Sequence, residues 1–253
     1  MAEYHFIKFS VEADIGHLQL NRPEKKNAIN DALLLEIEDV FTNMPEEVAV
    51  VILSGNGPEF CSGLDLSEHV ARDPYGVVQH SRMWHRVFGR IANSTIPVVA
   101  ALHGAVIGGG LELASSAHVR VADETTYFRL PEGRHGIFVG GGASVRVGRI
   151  LGASRMMDMM LTGRTYNAVD GERLGLAHYC VEKGSALEKA TELARSIAQN
   201  SRLSNFAMVS GLSRIESMSM DDGLFTESLL AGMTQTSPEV QERIGQFLNR
   251  KKK

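Results

Sequence analysis

Cysteine is scarce: only Cys61 and Cys180 occur in 253 residues. They lie far apart without the spacing of a zinc site or a redox pair, so they read as two reduced core thiols in place of a disulfide framework. No apolar run is long enough for a bilayer span, because the longest candidate, STIPVVAALHGAVIGGG, holds a proline, a histidine and many glycines. Basic charge is not in excess either. A net charge of -4 and a pI near 6.1 argue against a broad nucleic-acid surface, and the tail NRKKK leaves only a local phosphate to serve. The N-terminus has neither a basic-then-apolar signal nor an acid-poor presequence, and NRKKK is no peroxisomal address, so the cytoplasm is the expected location.

What remains is ordinary for a soluble globular protein: 43% hydrophobic and 22% charged residues, enough to bury a large core. No fixed-period repeat and no low-complexity tract interrupts it. One large domain with a small appendage is expected.

Tyr4 to Val11 and Ile15 to Leu20 flank a turn-like EAD and predict a hairpin. NRPEKKNAIN is a loop. From the capping residue Asn30, the spacing of Leu33, Ile37, Val40 and Phe41 predicts a helix. The all-apolar run Val48 to Leu53 reads as a doubly covered parallel strand. Residues 75–92 predict an amphipathic helix with Val77, Ser81, Trp84, Phe88 and Ile91 on its apolar stripe. PVVAAL, HVRVAD and TTYFRLPEG are further strand-and-loop blocks, and helices are expected near 143–161. After GRTYNAVDGERLGLAHYCV the chain turns nearly all helical, with segments at 186–199, 201–218, 221–232 and 238–250. The alternation is that of an α/β fold, with a composition boundary near residue 200.

The most specific stretch is HGAVIGGGLELASS, residues 103–116. Glycines before a helix let the backbone approach a ligand and leave N–H groups facing outward, where negative charge is favoured. No phosphate motif fits. Leu111 follows the glycines, Leu113 stands where a dinucleotide fingerprint needs its third glycine, and the second cluster, Gly140 to Gly142, fails the same test at Val145. An oxyanion hole is the better functional reading, beside the plainer one that the glycines only permit close helix packing. Two features shift the balance. EFCSGLDLSE is a second glycine-containing junction that offers the N–H of Leu64, and a second carboxylate, Glu132, stands 20 residues after Glu112.

NRPEKKNAIN, FCSGLDL, PVVAALHGAVIGGGLELA, FRLPEGRHGIFVGGG and ILGASRMMDMMLTGRTYNAVDGERLGLA resemble, in this order, the signature blocks of the crotonase (enoyl-CoA hydratase/isomerase) superfamily. The resemblance spans essentially the whole chain. It implies an α/β spiral of ββα units over residues 1–198 and a helical, trimerising segment over 199–253, assembled as a homotrimer or a dimer of trimers.

The resemblance also implies a chemistry and its residues. The thioester carbonyl of an acyl-CoA sits between the N–H groups of Leu64 and Gly109, each such donor being worth about 3 kcal/mol of barrier. Glu112 matches the base that activates water for attack at C3, and Glu132 the acid that protonates C2, with the reverse assignment left open. Gly140 matches an N–H that helps place the water. Lys26, Ala28, Ser62, Asp65 and Leu66 match positions that wrap the adenine and phosphates, and Phe247 and Arg250 match a contact made to a neighbouring protomer's ligand. Coenzyme A is part of the substrate and no separate cofactor is expected; nor are a metal, a nucleic acid or a membrane.

Relatives that isomerise or dehalogenate usually lack one carboxylate, so both glutamates favour a hydro-lyase. A hydratase-lyase that cleaves its product by a retro-aldol step, an isomerase and an RNA-associated binder are the alternatives. Two departures from the pattern flank Glu132: VGGGA puts Val139 where proline is common, and FRLPE replaces Phe-Gly-Gln-Pro-Glu. Arg134 and His135 add charge nearby. His80, Trp84 and His85 fall on a helix that often walls the acyl pocket in this superfamily; the histidines read as surface or core groups.

Overall fold

The computed structural model describes residues 3–68 and 70–250, without the side chains of residues 249 and 250. The hairpin forms from β1 (Ile7–Glu12) and β2 (Ile15–Leu20), paired antiparallel from Ile7 opposite Leu20 to Glu12 opposite Ile15. Then come α1 (Asp31–Thr42), β3 (Val50–Gly55) and α2 (Pro74–Ala92). Both helices start where the sequence supplies a cap: Asn30 Oδ1 accepts from the Leu33 N–H, and Asp73 Oδ1 from the Gly76 N–H.

The next stretch builds the scaffold of the site. β4 (Val98–Leu102) leads through His103 and Gly104 into β5 (Ala105–Ile107) and the short α3 (Gly109–Ala114); β6 (Val119–Asp123) and β7 (Tyr127–Arg129) repeat the step. Each time one strand joins a large sheet and the next a small one. The large sheet runs β1-β2-β3-β4-β6 and ends on β9 (Tyr179–Val181), parallel except for the hairpin. The small one is β5-β7-β8, closed by β8 (Thr165–Asn167) antiparallel to β7.

Between them come α4 (Ala143–Leu151), α5 (Ala153–Thr162) and α6 (Ala168–Leu174). The expected helical stretch at 143–161 is thus two helices. Gly152, at φ +78°, breaks it, a conformation open to glycine at no steric cost.

Strand periodicity sorts the core. Val51 and Leu53 of β3, with Val98, Ala100 and Leu102 of β4, pack toward α1, α2 and α3. Their neighbours Val50, Ile52, Val99 and Ala101 face the other side, where α7 (Ala186–Ala198) lays Ala186, Ala190 and Ala194 on the sheet. Both faces are covered, which is why these strands read as continuous apolar runs. After α7 the chain continues as α8 (Arg202–Ile215), α9 (Met220–Gln235) and α10 (Pro238–Arg250). Among the described residues no helix is long and apolar enough to cross a membrane.

Candidate active site

Two sequence loops are tied together beneath the site. The buried Arg22 guanidinium donates to the Ala28 carbonyl (2.7 Å), to Asp65 Oδ2 (3.0 Å) and to Glu68 Oε1 (2.8 Å). Asn27, whose φ of +53° turns the loop sharply, sends its side-chain amide to the carbonyls of Asn56 and Glu59. Burial raises the Asp65 carboxyl, but the Ser67 hydroxyl and N–H and the Arg22 charge outweigh it and hold the group below its ordinary value. The NRPEKKNAIN loop is thereby fixed against the CSGLDLSE loop. That is why Leu64 can be presented accurately.

Leu64 and Gly109 then meet. A Cβ on Gly63, at φ +100°, would stand 2.9 Å from the Ile107 carbonyl oxygen and 3.4 Å from the Gly109 nitrogen, so only glycine lets this junction lie against the start of α3. The Leu64 nitrogen is 3.5 Å from where a Gly109 Cβ would be. Among the described residues neither N–H has an acceptor. Two free, adjacent donors are what a developing oxyanion requires.

Both acids face the same cavity. It encloses about 410 Å³ and is lined by Leu64, Gly109, Glu112, Glu132, Trp84 and Gly140 among others. Glu112, on α3, is buried; its Oε1 accepts from the N–H groups of Gly141 (2.8 Å) and Ala143 (3.0 Å). Burial raises its carboxyl above the usual value, and those two N–H groups with the Arg146 and His85 charges pull it back. Glu132 opens a 3-10 turn after Pro131, and its Oε2 is buried with no partner among the described residues. Burial, with a contribution from the Glu112 charge and against an opposing main-chain hydrogen bond, lifts it to about 7. Gly108 is at φ +50°, and a Cβ there would stand 3.1 Å from Glu132 Oε1. One acid is firmly oriented and the other is poised to hold a proton near neutral pH.

The loop 139–142 is pinned from three sides. Ser81 Oγ donates to the Gly140 carbonyl at 2.6 Å, Arg146 donates to the Gly141 carbonyl, and Glu112 takes the Gly141 and Ala143 N–H groups. Gly140 keeps its own N–H without an acceptor among the described residues. The proline that Val139 replaces is not needed to hold this loop.

The remaining expected positions divide. Leu66 is exposed at the cavity and helps line it, Lys26 is exposed, and the Ser62 N–H donates to the Lys26 carbonyl at 3.0 Å. The side chain of Asp65 is occupied by Arg22 and Ser67, and Ala28 is buried with its carbonyl on Arg22. Their N–H groups are engaged as well, Ala28 with the Lys25 carbonyl at 3.0 Å and Asp65 with the Ile29 carbonyl at 2.9 Å, so any ligand contact by these two is left to their carbonyl oxygens. Phe247, on α10, is exposed and does not line the cavity of its own protomer. The side chain of Arg250 lies outside the described residues.

α2 lines the cavity, as the resemblance implies, but two of its side chains depart from expectation. Val77 was expected in the buried stripe of α2 but is exposed, because the first turns of the helix project past the core and border the cavity. His80, expected as a surface or core group, lines the cavity with Nε2 2.7 Å from Asp31 Oδ1. Arg72 joins the same acid at 3.1 Å. No sequence signal links three residues so far apart in the chain.

A family model described as enoyl-CoA hydratase/isomerase matches residues 10–253. The 2,3-dehydroadipyl-CoA hydratase of Escherichia coli is 31% identical over 238 residues, 92% of each chain. A Rhodopseudomonas palustris protein solved as a candidate enoyl-CoA hydratase is 45% identical with a TM-score of 0.96, covering 100% of this chain and 99% of that one. An enoyl-CoA hydratase from Bacillus anthracis gives 27% and 0.91, with 97% of each chain covered. The fold, including its C-terminal helices, is that of these crotonase-type proteins.

Proposed function

We propose, from the premise that this chain belongs to the enoyl-CoA hydratase/isomerase family, that it adds water across the 2,3 double bond of a 2-enoyl-CoA thioester. The observation that carries this reading is the convergence of Glu112 and Glu132 on one cavity beside the free N–H groups of Leu64 and Gly109. Glu112, held through Oε1, takes a proton from water with Oε2 as the oxygen attacks C3. The electrons move onto the thioester oxygen, where Leu64 and Gly109 donate to the enolate. Glu132 then delivers its proton to C2, and solvent restores both acids. The two glutamates and water account for every proton, so the step calls for no cofactor beyond the coenzyme A of the substrate.

Isomerisation needs one proton shuttled between carbons, so a second, separately oriented carboxylate favours hydration. The test is purified protein with a series of 2-enoyl-CoA esters. Loss of the conjugated thioester absorbance and a 3-hydroxyacyl product support the reading. An unchanged absorbance, a shifted double bond, or release of aldehyde and acetyl-CoA would replace it.

The same reading carries assembly through residues 199–253. α9 buries only Gly223 within the protomer, while Leu224, Phe225, Leu229 and Met233 are exposed. A helix that presents this much apolar surface belongs at an interface, which supports a homotrimer or a dimer of trimers.

A further inference from the structure

Trp84 spans the cavity wall. Its six-membered ring lies against Gly109, with Cζ3 2.7 Å and Cη2 3.0 Å from where a Cβ on that glycine would be. Its Nε1, at the opposite end of the indole, is 3.3 Å from His80 Nε2. One indole therefore separates the oxyanion donors from a polar cluster. Asp31 is the hub of that cluster, reaching His80 through Oδ1 and Arg72 through Oδ2. The imidazole Nε2 cannot both donate to Asp31 and accept from Trp84, and the shorter contact at 2.7 Å places its proton toward the acid.

Away from the glutamates the cavity wall is mostly apolar, with Leu64, Leu66, Val77, Ile137, Phe138 and Val139 beside Ser81 and His135. A neighbouring cavity of about 260 Å³, lined also by Asn30, Asp65 and Glu68, meets the first at Leu64, Arg72 and His80, so the cluster stands on the rim that the two cavities share. Arg72 has five N–H donors, of which one meets Asp31 and one the Val70 carbonyl at 3.3 Å. The others have no acceptor among the described residues. A plain alkyl end packed there would strip water from those donors and return nothing. An oxygen would satisfy them.

We infer that the acyl pocket selects a 2-enoyl-CoA whose chain carries a hydrogen-bond-accepting oxygen, a carboxylate or a hydroxyl, bound by Arg72, with His80 and Asp31 positioning the guanidinium. This rests on the hydratase reading.

The experiment compares kcat/KM for trans-2-hexenoyl-CoA with its analogues bearing a hydroxyl or a carboxylate at the sixth carbon. In the wild type, the better oxygen-ended ester exceeds the methyl-ended one by about tenfold or more, the span of one charge-assisted hydrogen bond. Arg72→Gln brings that ratio near unity and Arg72→Lys recovers part of it. A wild-type ratio at or below unity, or a ratio that survives Arg72→Gln, overturns the inference while turnover of the methyl-ended ester leaves the hydratase reading standing. If no ester is hydrated, that reading fails first. Calorimetric titration with the saturated hexanoyl-CoA series then decides this point separately: an Arg72-dependent preference for oxygen upholds it, and equal binding ends it.

Discussion

Glu112 Oε1 accepts hydrogen bonds from the Gly141 and Ala143 N–H groups, which come from a loop about thirty residues further along the chain. Two donors on one oxygen fix the carboxylate plane and leave Oε2 for water. Glu112→Gln keeps the shape but removes the proton acceptor, and kcat is expected to fall about a thousandfold, within the usual range for a general base. The clamp has its own test. A Cβ on Gly141 would stand 2.6 Å from Glu112 Oε2, so Gly141→Ala displaces the very oxygen that acts. A large loss of kcat with little change in KM, read by steady-state kinetics, is expected; unchanged kcat would show that the clamp does not orient the base.

Glu132 titrates at about 7 because burial disfavours its charge. As the proton donor it must be protonated in the free enzyme, so kcat/KM should fall as pH rises through about 7, and should fall again on the acid side where the base Glu112 takes up a proton. Its effect on stability has the same direction. The folded state holds the proton more tightly than the unfolded chain, so the stability it lends is full below the ordinary carboxyl value and is lost as pH rises through about 7. Glu132→Gln should therefore abolish most turnover yet raise Tm relative to wild type on the alkaline side. A variant melting lower at alkaline pH would contradict the assignment.

Much of this was legible in the sequence, for reasons that can be named. α1 announced itself through its cap and apolar spacing, α2 through apolar spacing alone, and β3 and β4 through apolar runs, because both faces of the sheet are covered. The pairing of Glu112 with Glu132 came from motif resemblance, since their separation in sequence is no structural period. The Asp31, Arg72 and His80 cluster was not legible at all: it depends on α1 packing beside α2 and bringing together residues up to 49 positions apart. Phe247 does not line the cavity of its own protomer; the contact expected of it was to a neighbour's ligand and came from resemblance alone.

α9 offers a direct test of assembly. With Leu224 and Phe225 exposed on a helix that buries only Gly223, a lone protomer would carry an aggregation-prone face. Sedimentation at micromolar concentration should give the mass of three or six chains. Phe225→Asp should lower that mass, because burying an unpaired charge in an interface costs more than a single contact returns. A wild-type protein that sediments as one chain would refute the assembly.

The last expectation concerns acid. The His118 ring accepts the Val98 N–H through Nδ1 at 2.9 Å, and burial, reinforced by the nearby Arg120 charge against the pull of the Ala92 carbonyl, lowers it to about 4. Arg120 is itself buried, donating to the carbonyls of Ala117, Leu176 and Gly175, so a second positive charge beside it is strongly disfavoured. His178, on the other side of Arg120, is lowered to about 4 for the same reasons. The unfolded chain protonates these rings first as pH drops below the ordinary imidazole value. Stability is therefore full above about 6.5 and declines as pH falls toward about 4, with His118 alone accounting for about 3 kcal/mol. Thermal melts at about pH 7.5 and about pH 5 should show a clear drop in Tm for wild type and a smaller one for His118→Gln, whose amide still accepts from Val98 but takes up no proton. Equal drops would mean that this ring does not set the acid limit of the fold.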